Sequence, residues 1–168
     1  MRWLIDGYNV IRRDPDLRAA EARGLHAGRE ALLRRVAAAA RRLSDRFTVV
    51  FDGAPVRGAA PSGRLEVVFS RPPQKADDVL VRLAREGGAG TAVVTDDRAV
   101  GDAARRARCA VVPVGRFLAA LGGPEGGAAD DDPDGESDDA PHGKRGNPYR
   151  RSREDIDVER ALRRLRGQ

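Results

Sequence analysis

Short apolar runs, each closing on a polar turn, recur along most of the chain. Trp3–Asp6, Phe47–Phe51, Leu65–Phe69, Ala92–Thr95 and Ala110–Val114 are such runs, and their length and β-branched content predict strands. Between them the period changes. From Glu30 to Leu43, the residues Leu32, Leu33, Val36, Ala40 and Leu43 share one stripe, with Arg34, Arg35, Arg41 and Arg42 largely outside it, which predicts an amphipathic helix. Further helices are predicted over Lys75–Arg85, stopped by Gly87 and Gly88, over Arg98–Arg108, and over Arg116–Leu121. A loop holding Gly53, Pro55, Gly58, Pro61 and Gly63 separates the second and third strands. Runs that are apolar throughout, rather than alternating, belong to strands covered on both faces. The pattern therefore predicts an α/β fold, a three-layer sandwich with a mainly parallel central sheet of about five strands.

The periodic pattern stops near Leu121. Gly122, Gly123 and Pro124 break the last helix, and no large apolar side chain follows before His142. A segment of that composition cannot bury enough surface to offset its ordering entropy. The expected organisation is a domain over 1–121, an acidic disordered linker over 122–143 and a basic tail over 144–168. In the tail, Ser152 and Asp155 have capping-box spacing, and Val158, Leu162 and Leu165 fall at i, i+4 and i+7, which permits one short amphipathic helix. No internal repeat is present.

Composition narrows the class. The chain has 168 residues, 40% of them hydrophobic, enough for one core of ordinary size. A single cysteine, Cys109, excludes a disulfide framework and a zinc cage, and makes a reducing, cytoplasmic compartment the expectation. No apolar stretch approaches the roughly 18 residues of a membrane span, and no charged-then-apolar leader opens the chain, so no membrane is expected. Charge is uneven. Residues 1–121 carry 22 Lys and Arg against 14 Asp and Glu; residues 124–139 carry eight acids and no base; residues 140–168 carry nine bases against four acids. A basic body suits a polyanionic partner, because arginines hold phosphates. The plainer reading is that many of these arginines are only solvated, in a chain dominated by Ala, Gly and Arg.

Four of the apolar runs lead into acids: Asp6, Asp52, the Asp77-Asp78 pair and the Asp96-Asp97 pair. In an open parallel sheet ligands gather at the carboxyl ends of the strands, so acids placed there can converge on one crevice. Convergent carboxylates suit a hard divalent cation, Mg²⁺ or Mn²⁺, which prefers oxygen ligands and keeps several waters. Such ions activate water for attack on phosphorus and need no protein nucleophile. None is evident: His26, His142, Cys109 and Ser70 have no obvious catalytic partner beside them in sequence. Each acid also has a plainer role. Asp96 or Asp97 can cap the helix starting at Arg98, Asp77 and Asp78 suit a first helical turn, and Asp52 before Gly53 suits a turn. Asp6 is the hardest to explain this way, since Gly7, Tyr8 and Asn9 announce no long helix.

The strings Ile5-Asp6-Gly7-Tyr8-Asn9-Val10-Ile11, Phe51-Asp52-Gly53, Val67-Val68-Phe69-Ser70, Ala76-Asp77-Asp78 and Val94-Thr95-Asp96-Asp97-Arg98, in that order and spacing, resemble the NYN domains of the YacP type, a branch of the PIN-like ribonucleases. The resemblance covers roughly residues 1–121. It implies a PIN-like fold and a metal-dependent RNA endonuclease, with metal-binding acids at Asp6, Asp77 and Asp97 and with Asn9 and Asp52 lining the same site. One departure stands out: the family often has a Ser between the Thr and the Asp of the fourth-strand motif, where this chain has Asp96. Asp96 and Asp97 therefore remain alternatives for the group facing the metal.

Rival functions differ in their key residues. A receiver-like phosphoacceptor needs a lysine after the fifth strand, where Pro113, Val114, Gly115 and Arg116 stand; an Asp-x-Asp phosphatase would carry its second acid at position 8, which is Tyr8. The rival that keeps all its residues is a catalytically silent RNA-binding module of the same fold. For either reading the expected partner is RNA, free or within the ribosome or another ribonucleoprotein. Arg57, Arg64, Arg71 and Lys75, on connections beside the expected crevice, are the candidate phosphate contacts. The acidic stretch could compete with RNA for the basic body, and the Arg-rich tail could dock on RNA.

Overall fold

The computed structural model describes residues 1–53, 63–122 and 152–167. Its elements run β1 (Arg2–Asp6), α1 (Gly7–Arg13), α2 (Pro15–Glu21), α3 (Leu25–Arg42), β2 (Arg46–Phe51), β3 (Leu65–Phe69), α4 (Ala76–Gly87), β4 (Thr91–Val94), α5 (Arg98–Arg106), β5 (Ala110–Val112), α6 (Val114–Leu121) and α7 (Arg153–Leu165). The five strands form one sheet in the order β3-β2-β1-β4-β5, and every pairing is parallel. All five strands expected from the apolar runs are present, with ends shifted by at most two residues. The last run stops at Val112 because Pro113, which has no N–H for a ladder, becomes the cap of α6.

Alternation along the strands builds two cores. Trp3, Ile5, Phe47, Val49 and Phe51 belong to the larger one, with Val10, Leu17, Val36 and Phe117 from α1, α2, α3 and α6. Leu4, Val50 and Val93 join Leu80, Leu83 and Val100 of α4 and α5 in the other. Trp3 anchors the larger core, stacked on Phe47 at 6.2 Å and tilted against Phe117 at 5.8 Å.

The stretch 7–21, for which no element is expected, folds as α1 and α2. Asp14 ends the first helix and caps the second, accepting from Leu17 N at 2.9 Å with Pro15 at the first helical position. The long helix starts at Leu25 rather than Glu30, which brings Arg29 into it.

The larger correction concerns the tail. The stripe of Val158, Leu162 and Leu165, in the segment read as a basic tail that could dock on RNA, is folded onto the body as part of α7. Val158, Ala161, Leu162 and Leu165 are buried in the same core as Trp3 and Phe117. Ser152 and Asp155 do form the capping box. A polar stretch before a helix does not limit where that helix packs, and four apolar residues on one face favour burial. Polar contacts fix its position: Arg116 with Glu159, Arg105 with Glu154 at 3.3 Å, and Arg164 Nε donating to Asp45 at 2.6 Å. Asp45 also accepts from the N-terminal ammonium at 3.0 Å and from Trp3 Nε1 at 3.1 Å. Burial opposes its charge, yet these three donors hold its carboxyl below the ordinary value. Apart from Gly122, the expected linker over 122–143 lies outside the described residues, as do residues 144–151. Among the described residues no helix is long and apolar enough to cross a membrane.

Because Leu162 is fully buried, Leu162→Ala should destabilise the protein by about 2–5 kcal/mol in urea unfolding. A loss typical of a surface change, under about 0.5 kcal/mol, would mean that α7 is no part of the core.

Candidate active site

Parallel pairing places the carboxyl ends of all strands on one edge. There β1 is the switch point: β2 and β3 are added on one side of it, β4 and β5 on the other, and ligands bind outside such a point. Asp6 ends β1 and Thr95 directly follows β4, so the two face each other across it.

Asp6 is buried, and both of its oxygens are occupied. Oδ1 accepts from Asn9 N at 3.2 Å, which makes Asp6 the cap of α1, and Oδ2 accepts from the Thr95 hydroxyl at 3.2 Å. No long helix follows Asp6, but the seven-residue α1 does, and Asp6 caps it. The helix can start so abruptly because Gly7 has no side chain; a Cβ there would stand 2.2 Å from Phe51 Cε1. Thr95 is the hub of the site. Its Oγ also accepts from Asn9 Nδ2 at 3.4 Å and from Asp97 N at 3.1 Å, tying β1, α1 and the start of α5 together.

The remaining acids ring this buried floor. Asp97 caps α5 by accepting from Val100 N at 2.9 Å. Asp52, just past β2, uses Oδ1 to accept from Ser70 Oγ at 2.8 Å and from Ala76 N at 2.6 Å, pinning the end of β3 and the start of α4. Asp78 closes the capping box of α4 on Lys75 N at 3.0 Å. Asp77, in the same first turn, is exposed and makes no hydrogen bond among the described residues. Asp96 turns away to α6, accepting from Val114 N at 2.9 Å, with Arg13 Nε at 4.0 Å from its other oxygen.

Two pKa shifts mark the centre. Burial raises the Asp6 carboxyl above the ordinary carboxylate value; the Asp77 charge adds to this, while hydrogen bonds from Asn9 and Thr95 oppose it. Asp77 is raised by partial withdrawal from water and then by the charges of Asp97, Asp52 and Asp78, against Lys75. Asp77 is therefore the acid on which the charges of Asp97, Asp52 and Asp78 meet, and its own charge in turn raises Asp6.

The basic residues divide. Arg71 and Lys75 lie in the connection from β3 to α4 at this edge, both exposed. Arg64 does not: it precedes β3 and donates to the Leu43 carbonyl at 2.9 Å. A residue before a five-residue strand lies about 13 Å or more from the edge its successor reaches, so Arg64 belongs to the amino edge. Arg57 lies outside the described residues.

Two residues of the site were not anticipated. One is Thr95, a small polar residue inside a recognised string. The other is Arg29, buried on α3, whose guanidinium lies over Tyr8, Phe51 and Phe69 at 5.3, 5.5 and 5.2 Å. Its Nε donates to the Tyr8 hydroxyl at 2.8 Å and its Nη2 to the Asp52 carbonyl at 3.0 Å. Position 29 continues the Leu32, Leu33 and Val36 stripe, so a charged residue on an apolar helix face was the available signal.

Four carboxylates, one hydroxyl and one amide make a hard oxygen-rich donor set. No three carboxylates among the described residues stand close enough to form a ready-made metal cage. The set thus suits a cation that takes one or two carboxylates directly and keeps water in its remaining positions.

Comparison with known proteins identifies the family and the fold. The model of the YacP-like NYN domain matches residues 3–130. The uncharacterized protein YacP of Bacillus subtilis (strain 168) is 32% identical over 85 residues, 49% of this chain and 50% of that protein, so the chain spans about half the length of that relative. The crystal structure of Rae1 (YacP) from Bacillus subtilis is matched with a TM-score of 0.63 at 25% identity, covering 73% of this chain and 74% of that one. A mutant form of the same protein gives a TM-score of 0.61 at 24% identity with the same coverage, a likeness of fold.

The raised carboxyls fix a sign. Between the unfolded value near 3.8 and the raised folded values, the folded state holds protons the unfolded chain has released, so stability falls as pH rises through that window. At neutral pH without metal, Asp77→Asn should raise the melting temperature by about 1–3 °C, a gain that disappears below about pH 3.5. An unchanged or lower melting temperature at pH 7 would count against the convergence of these acids.

Proposed function

The chain belongs to the YacP-like NYN domain family, with the PIN-like, nuclease-type fold that goes with it, and on that footing we propose that it is a metal-dependent endoribonuclease. The observation that carries this reading is the gathering of Asp6, Asp52, Asp77 and Asp97, from four separate elements, at the switch point of the sheet, with Asp77 raised by its neighbours. Carboxylates that repel one another gain by meeting a cation.

In this reading Asp6, Asp77 and Asp97 hold Mg²⁺ or Mn²⁺, directly or through water. When bound, the ion supplies a more acidic water and neutralises charge developing on the phosphate. The chain's own residues do the rest. Thr95 and Asn9 hold the Asp6 carboxylate in one orientation through hydrogen bonds to each of its oxygens. Arg29, bonded to the Asp52 carbonyl, fixes the end of β2, and Asp52 in turn sets the first turn of α4 that carries Asp77. Arg71 and Lys75 receive the phosphates of the RNA, joined by Arg57. Asp96 acts through α6 rather than on the substrate. No protein nucleophile is needed: Ser70 Oγ donates to Asp52, and burial pushes the Cys109 thiol up. The proposed compartment is the cytoplasm, in keeping with the free, buried Cys109. A ribonucleoprotein, the ribosome included, remains a proposed setting for the substrate.

The rival reading is an RNA-binding module of the same fold without catalysis. Labelled single-stranded RNA incubated with Mn²⁺ decides between them: the wild type should cleave it, and Asp6→Asn should fall by about 100-fold or more. Binding without cleavage by the wild type would establish the rival. Independently, Mn²⁺ at about 100 times its Kd should stabilise the wild type by about 2.7 kcal/mol, read from thermal melts. An Asp6→Asn/Asp77→Asn variant that kept the full gain would remove these acids from the site.

A further inference from the structure

Three neighbouring strands begin with arginine. Arg2 opens β1, Arg46 opens β2, and Arg64 immediately precedes β3. The register sets Arg2 beside Arg46, and Phe47 N bonds to the Arg64 carbonyl at 2.7 Å. Parallel strands lie about 4.8 Å apart, so three like charges stand in one row at the amino edge of the sheet. Like charges set opposite one another in a sheet cost stability, and the described residues offset this little. The Arg64 guanidinium reaches only the neutral Leu43 carbonyl, and those of Arg2 and Arg46 have no ion pair or hydrogen bond among the described residues.

The edge gathers more positive charge. Arg42 ends α3 just before the turn to β2. Arg160 and Arg163 of α7 line a groove with Met1 and Gly90 at the same edge. Asp45, the buried acid there, is already taken by Trp3, Arg164 and the N-terminal ammonium. Bases in the last turns of α3 and α7 complement the helix dipoles. That account does not reach the strand row, which has no helix end to serve.

We propose that this amino edge is a second RNA-contacting surface, which takes the phosphate backbone of RNA extending beyond the acidic crevice. It rests on the reading of RNA as the partner but not on cleavage. The row and the crevice stand at opposite ends of β1, about 13 Å apart along the strand. That exceeds the screening length of about 10 Å at 0.1 M salt, so the row adds little to the field in the crevice. A short RNA seated at the acids does not touch it, and a long one does.

Length dependence is therefore the test. The full chain and an Arg42→Gln/Arg46→Gln/Arg163→Gln variant, all exposed positions outside the crevice, are titrated with fluorescent single-stranded RNAs of about 4 and about 30 nucleotides without divalent metal. On the long RNA the variant should flatten the slope of log affinity against log salt by about 2, at roughly 0.7 per lost phosphate contact. On the short RNA affinity should stay within about twofold, and the corresponding Lys variant should keep the wild-type slope. An unchanged slope on the long RNA, or equal losses on both lengths, overturns the proposal. So does wild-type sedimentation with anionic vesicles, lost in the variant, if RNA binding is unaffected; the surface would then be a membrane contact. Binding that follows this pattern without cleavage by the wild type would sustain the second surface while removing the nuclease reading.

Discussion

Parallel strands cannot be joined by tight hairpins. Each must be followed by a crossover, and so the last residue of a strand, and the first turn of a helix that follows it, are delivered to one edge. Most of what is distinctive here follows from that constraint. An acid at a strand end is at once the cap for the next helix and a member of a shared crevice. Asp97 satisfies the first turn of α5 with one oxygen, and Asp52 does the same for α4. Each leaves its second oxygen without a hydrogen bond among the described residues. Capping and convergence, which look like competing explanations when the acids are taken singly, are one arrangement.

The constraint also carries a cost, met locally. Asp6 is withdrawn from water with other carboxylates nearby, and stays because both its oxygens are hydrogen-bonded. That in turn demands a helix starting without delay and a hydroxyl from the neighbouring strand end. Gly7 permits the first by letting the Phe51 ring lie against the backbone, and Thr95 supplies the second.

What could be read from the chain beforehand divides along the same physical line. Strands covered on both faces announce themselves as near-continuous apolar runs, and even the partly exposed edge strand Leu65–Phe69, interrupted by Glu66, has the bounds its run predicts. Asp6, Asp77 and Asp97 were visible because each follows or opens such an element. Arg64 was misplaced because neighbouring positions in a loop do not reveal which end of a parallel strand they serve. The order of Asp96 and Asp97 depended on where α6 begins, which turns on Pro113 ending a strand. Arg29 escapes the sequence pattern because the predicted helix begins at the next residue, Glu30, whereas α3 begins at Leu25. The docking of α7 was hidden because helical spacing shows that a face is apolar but not what covers it.

The ion pair between Asp45 and Arg164 joins positions separated by 119 residues. Drawing such distant groups together is entropically costly and slow compared with forming local helices. While the chain is being synthesised, the sheet and its first six helices can assemble before Leu162 and Leu165 have left the ribosome. During that interval the core beside Phe117 has no cover on the α7 side. Nascent molecules should pass through a stage with an exposed apolar groove, open to chaperones or to misassociation, that closes only once α7 has emerged.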